Sequence, residues 1–309
     1  GSAGVSGALS FTSGTTSTGT SGEISFATGG ATGGRAGDIS ISIGQTVTEI
    51  GNGAKMVAGA QSDKTGGAVS LFAGFGVTSS GAVNVITRSG GTNGVSGELI
   101  FASGTSSSGA SGKMLVSTGA ATNGAGGSIY IAVGSSKTET GGDIIAVGGK
   151  NTLHSGGVVS IQSGVSISKS SGALSIRTLN SGTNGISGSL LFVTGTTSSG
   201  SSGQIKIASG DSTAGRAGNV VLSVGNTVTE TGNHIITQPG ISASNTGGIF
   251  SVSSGKGITR SSGALNIKST NAGAVGVSGI LTFSTGTTSK GASGKAAIVS
   301  GDSIAGGAG

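Results

Sequence analysis

The stretch Val95–Ser106, "VSGELIFASGTS", holds the pattern that decides how this chain is read. Close copies stand at Val5 ("VSGALSFTSGTT"), Ile186 ("ISGSLLFVTGTT") and Val277 ("VSGILTFSTGTT"), at offsets of 90, 91 and 91 residues. Within the stretch, a glycine (Gly97) is followed by alternating hydrophobic residues (Leu99, Phe101) and then by a second glycine (Gly104). That short phrase recurs far more often than every 91 residues. It starts at Gly7, Gly22, Gly37, Asn52, Gly67, Gly81 and Gly97, and continues so to Gly294, with Gly309 opening one more unit. The spacing is 15 almost everywhere, 16 in every sixth unit and 14 in the unit at Gly67. Two periods are therefore nested, a 15-residue unit inside a six-unit block. The blocks run 7–96, 97–187, 188–278 and 279–309, the last partial, within one continuous repeat segment, 1–309.

Numbering the first residue of each unit as position 1, position 3 is hydrophobic in all twenty units and position 5 in all but one, where Thr237 stands. Position 7 is mostly small (Ser13, Thr28, Ala58, Ser103). Charges stand at position 2 (Glu23, Asp38, Glu98, Lys113, Asp143, Lys295) and position 4 (Lys55, Lys206) but never at 3, 5 or 7. A period of two with one apolar side is the signature of a half-buried strand. The expected core is Leu9, Phe11, Ile24, Phe26, Ile39, Ile41, Phe101, Ile129, Ile131, Phe192 and Phe283. Position 8 is glycine in the first five units of each block: Gly14, Gly29, Gly44, Gly59, Gly104, Gly119, Gly134, Gly195, Gly210 and Gly225 among them. Glycine fixed after a short strand reads as a turn residue with positive φ. The sixth units carry Arg88, Leu179 and Thr270 there instead.

Short strands with glycine corners, repeated in tandem, predict an all-β fold: a parallel β-solenoid of 15 residues per coil, with 30-residue coils as the alternative. At about 4.8 Å between strands, one six-coil block would rise about 29 Å. The smaller coil places residues 15 apart side by side: Glu49 with Lys64, Glu139 with His154 and Lys169, Glu230 with Asn245 and Arg260.

Composition narrows function mainly by exclusion. Of 309 residues, 67 are glycine, one is proline and none is cysteine, and only 8% are charged. Disorder goes with low hydrophobicity and high net charge, whereas this chain is 33% hydrophobic at a net charge of +6, with mean hydropathy +0.23. Collagen needs glycine at every third residue and abundant proline. The basic residues are dispersed and lack interleaved aromatics, so nucleic acid is not an expected partner. No apolar run reaches the roughly 18 residues of a membrane-spanning helix. There is no start methionine and no signal peptide, and the chain opens and closes inside the repeat, which suggests a window on something longer.

Chemistry is sparse. His154 and His234 have neither cysteines nor clustered carboxylates to complete a metal site, no nucleophile elbow frames any serine, and no catalytic residue, metal or cofactor is expected. "GGRAGD" (Gly33–Asp38) is a weak relative of calcium-binding nonapeptides; its counterpart at Ala214–Asn219 lacks the acid, and "GDS" at Gly210 and Gly301 is as weak. None of the thirteen asparagines lies in an N-glycosylation sequon, while the Ser/Thr runs leave O-glycans open. A threonine column at positions 10 and 12, best in "TVTET" (Thr227–Thr231), raises ice binding. It breaks at alternate units: Thr16/Thr18, Ala31/Gly33, Thr46/Thr48, Gln61/Asp63.

The stretches "SGTSSSGASG", "STGAATNGAGGSIYIAVG" and "GVSGELIFASGT" resemble very long Gly/Ser/Thr-rich tandem-repeat proteins of marine microalgae, stramenopiles such as diatoms. The resemblance implies an extracellular or cell-surface location and brings no catalytic residues. Together these readings suggest a non-enzymatic structural segment of a long filament, surface appendage or adhesive fibre. Its expected partner is itself, end to end or laterally, since bare terminal coils expose strand edges, with polysaccharide or a surface as an open second partner. The alternatives are an ice- or carbohydrate-binding repeat module and a viral attachment fibre.

Overall fold

A computed structural model describes residues 7–45, 50–62, 64–228 and 231–301. Among these there is no helix and no strand. The parallel β-solenoid, in its 15-residue and 30-residue forms alike, is therefore not the fold of this chain, and the 29 Å rise per block falls with it. A sheet requires a ladder of paired N–H and C=O groups. The backbone bonds formed instead are isolated, one to a turn. The sequence explains why: each unit has only two or three inward residues before an eight-residue, glycine-rich passage, and glycine loses the most conformational freedom on ordering.

The 15-residue unit is nevertheless expressed in the backbone. Positions 1–7 form an arm and positions 8–15 an arc that bends at positions 11–13, for example at residues 17–19, 107–109, 198–200 and 289–291. The arc returns the chain to where it began. A β-carbon placed on Gly22 would lie 3.7 Å from Ser13 Cβ, and on Gly112 3.5 Å from Ser103 Cβ. In each pair, position 1 of one arm comes back onto position 7 of the arm before it. In these pairs this is why position 1 is glycine and position 7 is small.

The chain groups into two compact units, Gly1–Gly157 and Val158–Gly309. In the first, Gly67, Gly81 and Gly157 at position 1 donate their N–H to the carbonyls of Gly59, Gly74 and Gly149 at position 8, at 2.9, 2.9 and 2.8 Å. In the second, Gly172, Gly248 and Gly263 bond to Gly164, Gly240 and Gly255 at 2.9 Å each. All six bonds close the arcs of fourth and fifth units of a block. Sixth units close differently, through tight turns in which Gly94, Gly185 and Gly276 donate to Gly91, Gly182 and Gly273. First units have a third form, with position 13 at positive φ: Gly19 at 105°, Gly109 at 100°, Gly200 at 105° and Gly291 at 105°. The six-unit block is thus a real module of backbone geometry as well as of sequence.

One expectation changes. Positive φ belongs to position 13 of first units, and none of Gly14, Gly29, Gly44, Gly59, Gly104, Gly119, Gly134, Gly195, Gly210 or Gly225 at position 8 adopts it. A β-carbon at any of those ten would meet nothing within 4 Å. The one short unit, at Gly67, takes up its missing residue in the arc, where Gly81 still reaches Gly74 at 2.9 Å.

Candidate functional site

The repeated surface is built from the inward side of the arms. In the second block, Gly112 returning to Ser103 sets Met114 at position 3 against Phe101 at position 5 of the arm before, and these two arms run in opposite directions. In the second block, Phe101 lies with Met114, Leu115 and Val116 along one apolar groove of about 450 Å³. Beside it, Phe101, Ala102 and Ser103 face Lys113 and Met114 around about 250 Å³. In the fourth block, Phe283 faces Ala296, Ala297 and Ile298 across about 350 Å³. In the first block an aromatic ring occupies the corresponding place: Phe26 meets Phe11 edge-on, with ring centroids 6.0 Å apart.

No residue of the expected core is buried. Leu9, Phe11, Ile24, Phe26, Ile39, Ile41, Phe101, Ile129, Ile131, Phe192 and Phe283 range from 46% exposed at Ile24 to 86% at Ile41. The alternation survives in weaker form: Ile129 at position 3 is 51% exposed and its neighbour Tyr130 89%. The chain exposes 31097 Å². A folded monomer of this mass would expose about 11,000 Å² and the extended chain about 42,000 Å². By itself the chain covers about a third of what folding would cover.

Side-chain hydrogen bonds among the described residues gather at position 10, the place of the threonine column. In first units its hydroxyl donates to the position 12 carbonyl: Thr16 to Thr18 (2.8 Å), Ser106 to Ser108 (3.0 Å), Thr197 to Ser199 (2.9 Å), Thr288 to Lys290 (2.9 Å). In later units its oxygen instead accepts from the position 13 N–H: Ser136 from Glu139, Ser166 from Lys169, Ser212 from Gly215 and Ser242 from Asn245. Asn151 Oδ1 accepts from both Leu153 (2.8 Å) and His154 (2.7 Å). These are the short side-chain turns that Ser, Thr and Asn form with their own backbone. Ser and Asn recurring three residues before the unit's end-turn was a readable signal for them.

The stacking pairs change accordingly. Glu139, His154 and Lys169 each occupy position 13 and are bonded through their backbone N–H within their own arcs, and no ion pair links them. Asn245 is likewise held by Ser242. Thr46, Thr48, Glu49, Asp63, Glu230, Asp302 and Ser303 lie outside the described residues. Where Thr16 and its equivalents are described, their hydroxyls serve the turn and do not form a free outward column. Among the described residues no three His, Asp or Glu come together as a metal-holding group. No helix among them is long and apolar enough to cross a membrane. No protein-family model, curated protein or solved structure matches this chain.

Proposed function

We propose that this chain is a structural segment of a long extracellular filament, surface appendage or adhesive fibre, whose modules assemble with like modules. The observation that carries the reading is the apolar row at positions 3 and 5. It recurs in unit after unit and stays about half or more exposed, from Leu9 and Phe11 to Leu281 and Phe283. Exposed apolar surface on this scale marks an interaction surface. A surface repeated at a fixed interval suits a partner with the same interval. The extracellular placement rests on the resemblance to the microalgal repeat proteins.

Sedimentation velocity over a concentration series, followed by negative-stain electron microscopy, tests the reading. Mass that grows with concentration, ending in fibres, is the expected result. A chain that stays at 28.7 kDa throughout, with no fibres in the images, would overturn it.

A further inference from the structure

The groove at the start of each block points to how copies join. In the first block the space beside Phe11 is taken by Phe26, at position 5 of the second arm. The corresponding residues of later blocks are smaller: Val116, Ile207 and Ile298. In the fourth block the same place is a groove of about 350 Å³, lined by Phe283, Ala296, Ala297 and Ile298. The first block therefore shows what fits the opening: an aromatic ring set edge-on against the phenylalanine.

The chain also carries unplaced rings. Phe72 and Phe75 are 89% and 92% exposed. They belong to the one 14-residue unit, and their counterparts in the next two blocks are Gln162 with Val165 and Ser253 with Lys256. Phe75 sits in a constrained arc. Gly81 N–H is bonded to Gly74 O at 2.9 Å, and a β-carbon on Gly76, the residue after Phe75, would run into the Ser79 carbonyl oxygen. Backbone held this way presents the ring at little further cost in conformational freedom.

We propose that Phe75, together with Phe72 of the same unit, inserts into the Phe283–Ile298 groove of a second copy of this chain. The proposal rests on the filament reading and specifies its joint. Ring and groove are different surfaces, so the contact is heterologous. A joined pair keeps a free ring on one copy and a free Phe283–Ile298 groove on the other, so growth is open-ended. Two phenylalanines bury about 300–500 Å², roughly half of the ~800 Å² per partner of a stable interface. The flanking aliphatic rows supply the remainder.

The test uses the full chain carrying Val116→Phe throughout, which fills the Phe101 groove as Phe26 fills that of the first block, in three forms: otherwise unchanged, with Phe72→Ser and Phe75→Ser, and with Ile298→Phe. All the substituted side chains are exposed. Each variant alone is expected to raise the concentration for half-assembly by about tenfold or more, as loss of a central aromatic anchor does. Mixed one to one, the variants retain one intact ring and one intact groove between them. They should form pairs that grow no further, seen as a discrete dimer by sedimentation. Variants that assemble like the otherwise unchanged form, or a mixture that gives no dimer, would overturn this joint and leave the filament reading standing. An unchanged chain that stays monomeric would overturn both.

Discussion

Replacing Gly157 by alanine should open one arc selectively. Gly157 N–H is bonded to Gly149 O at 2.8 Å, and a β-carbon on Gly157 would lie 2.8 Å from Gly149 N. Both sides of that contact are backbone, so no side chain can swing away and the arm must part from the arc. The closing bond contributes about 0.5–1.5 kcal/mol. Its loss should speed exchange of the residue 157 amide by roughly 2- to 13-fold, after correction for intrinsic rate. The contrasting substitution is Gly59→Ala. Position 59 has open space around its β-carbon, and its φ is not positive. Alanine there restricts the unfolded chain by about 0.4–1 kcal/mol, so the Gly67 amide, bonded to Gly59 O, should exchange at the same rate or more slowly. Amide exchange followed by NMR or mass spectrometry reads both. If residue 157 exchanges unchanged, or if Gly59→Ala accelerates Gly67, the argument that position 1 is glycine for want of space is refuted.

Other perturbations address the remaining turn devices. Asn151→Ala removes the acceptor for two N–H groups, Leu153 and His154, and should speed exchange at both amides, while Asn151→Asp keeps the acceptor and should not. Gly109→Ala places a β-carbon at φ 100°, a strain of about 1–3 kcal/mol. It should shift the NMR signals of residues 106–110 far more than Gly104→Ala, whose β-carbon meets nothing within 4 Å. Ser181→Ala deletes the hydroxyl that donates to Gly185 O at 2.7 Å and should accelerate exchange of the Gly185 amide, which closes that tight turn on Gly182.

The periods were legible in the sequence because they are properties of side-chain size. Position 1 is glycine where it meets the β-carbon of position 7, as at Gly97 against Thr87 Cβ at 3.6 Å. Where position 7 is branched, the next unit opens with Asn52 after Ile43 and Asn233 after Val224, but with Gly142 after Val133, whose Cγ1 would lie 2.8 Å from a β-carbon there. The alternation at positions 3 and 5 also persists as a difference in exposure. Pairing was not legible. Hydrophobic alternation specifies which side of an arm is apolar and leaves open what lies against it. The parallel offset of 15 residues and the reversal actually formed fit the same pattern equally well. The glycines at position 8 misled because a glycine's reason is conformational at Gly19 and steric at Gly157, and its letter is the same. The role of position 10 was hidden behind its threonine column because its partner is the chain's own backbone two or three residues on. The grooves at Phe101 and Phe283 depend on which arm follows which phenylalanine, so they emerge only with the reversal.

That reversal is open to direct chemical test, in a chain with no cysteine of its own. Cysteines replacing Ser103 and Gly112 would have β-carbons 3.5 Å apart, within the range a disulfide requires. Cysteines replacing Ser103 and Thr118 probe the 15-residue offset that stacked parallel coils would bring together. Equilibration of both pairs against a glutathione redox buffer, with and without denaturant, is the measurement. The account predicts that the 103–112 disulfide is markedly more stable in native buffer than in denaturant and that the 103–118 disulfide gains nothing. A native-state preference for 103–118 would contradict the account at its centre.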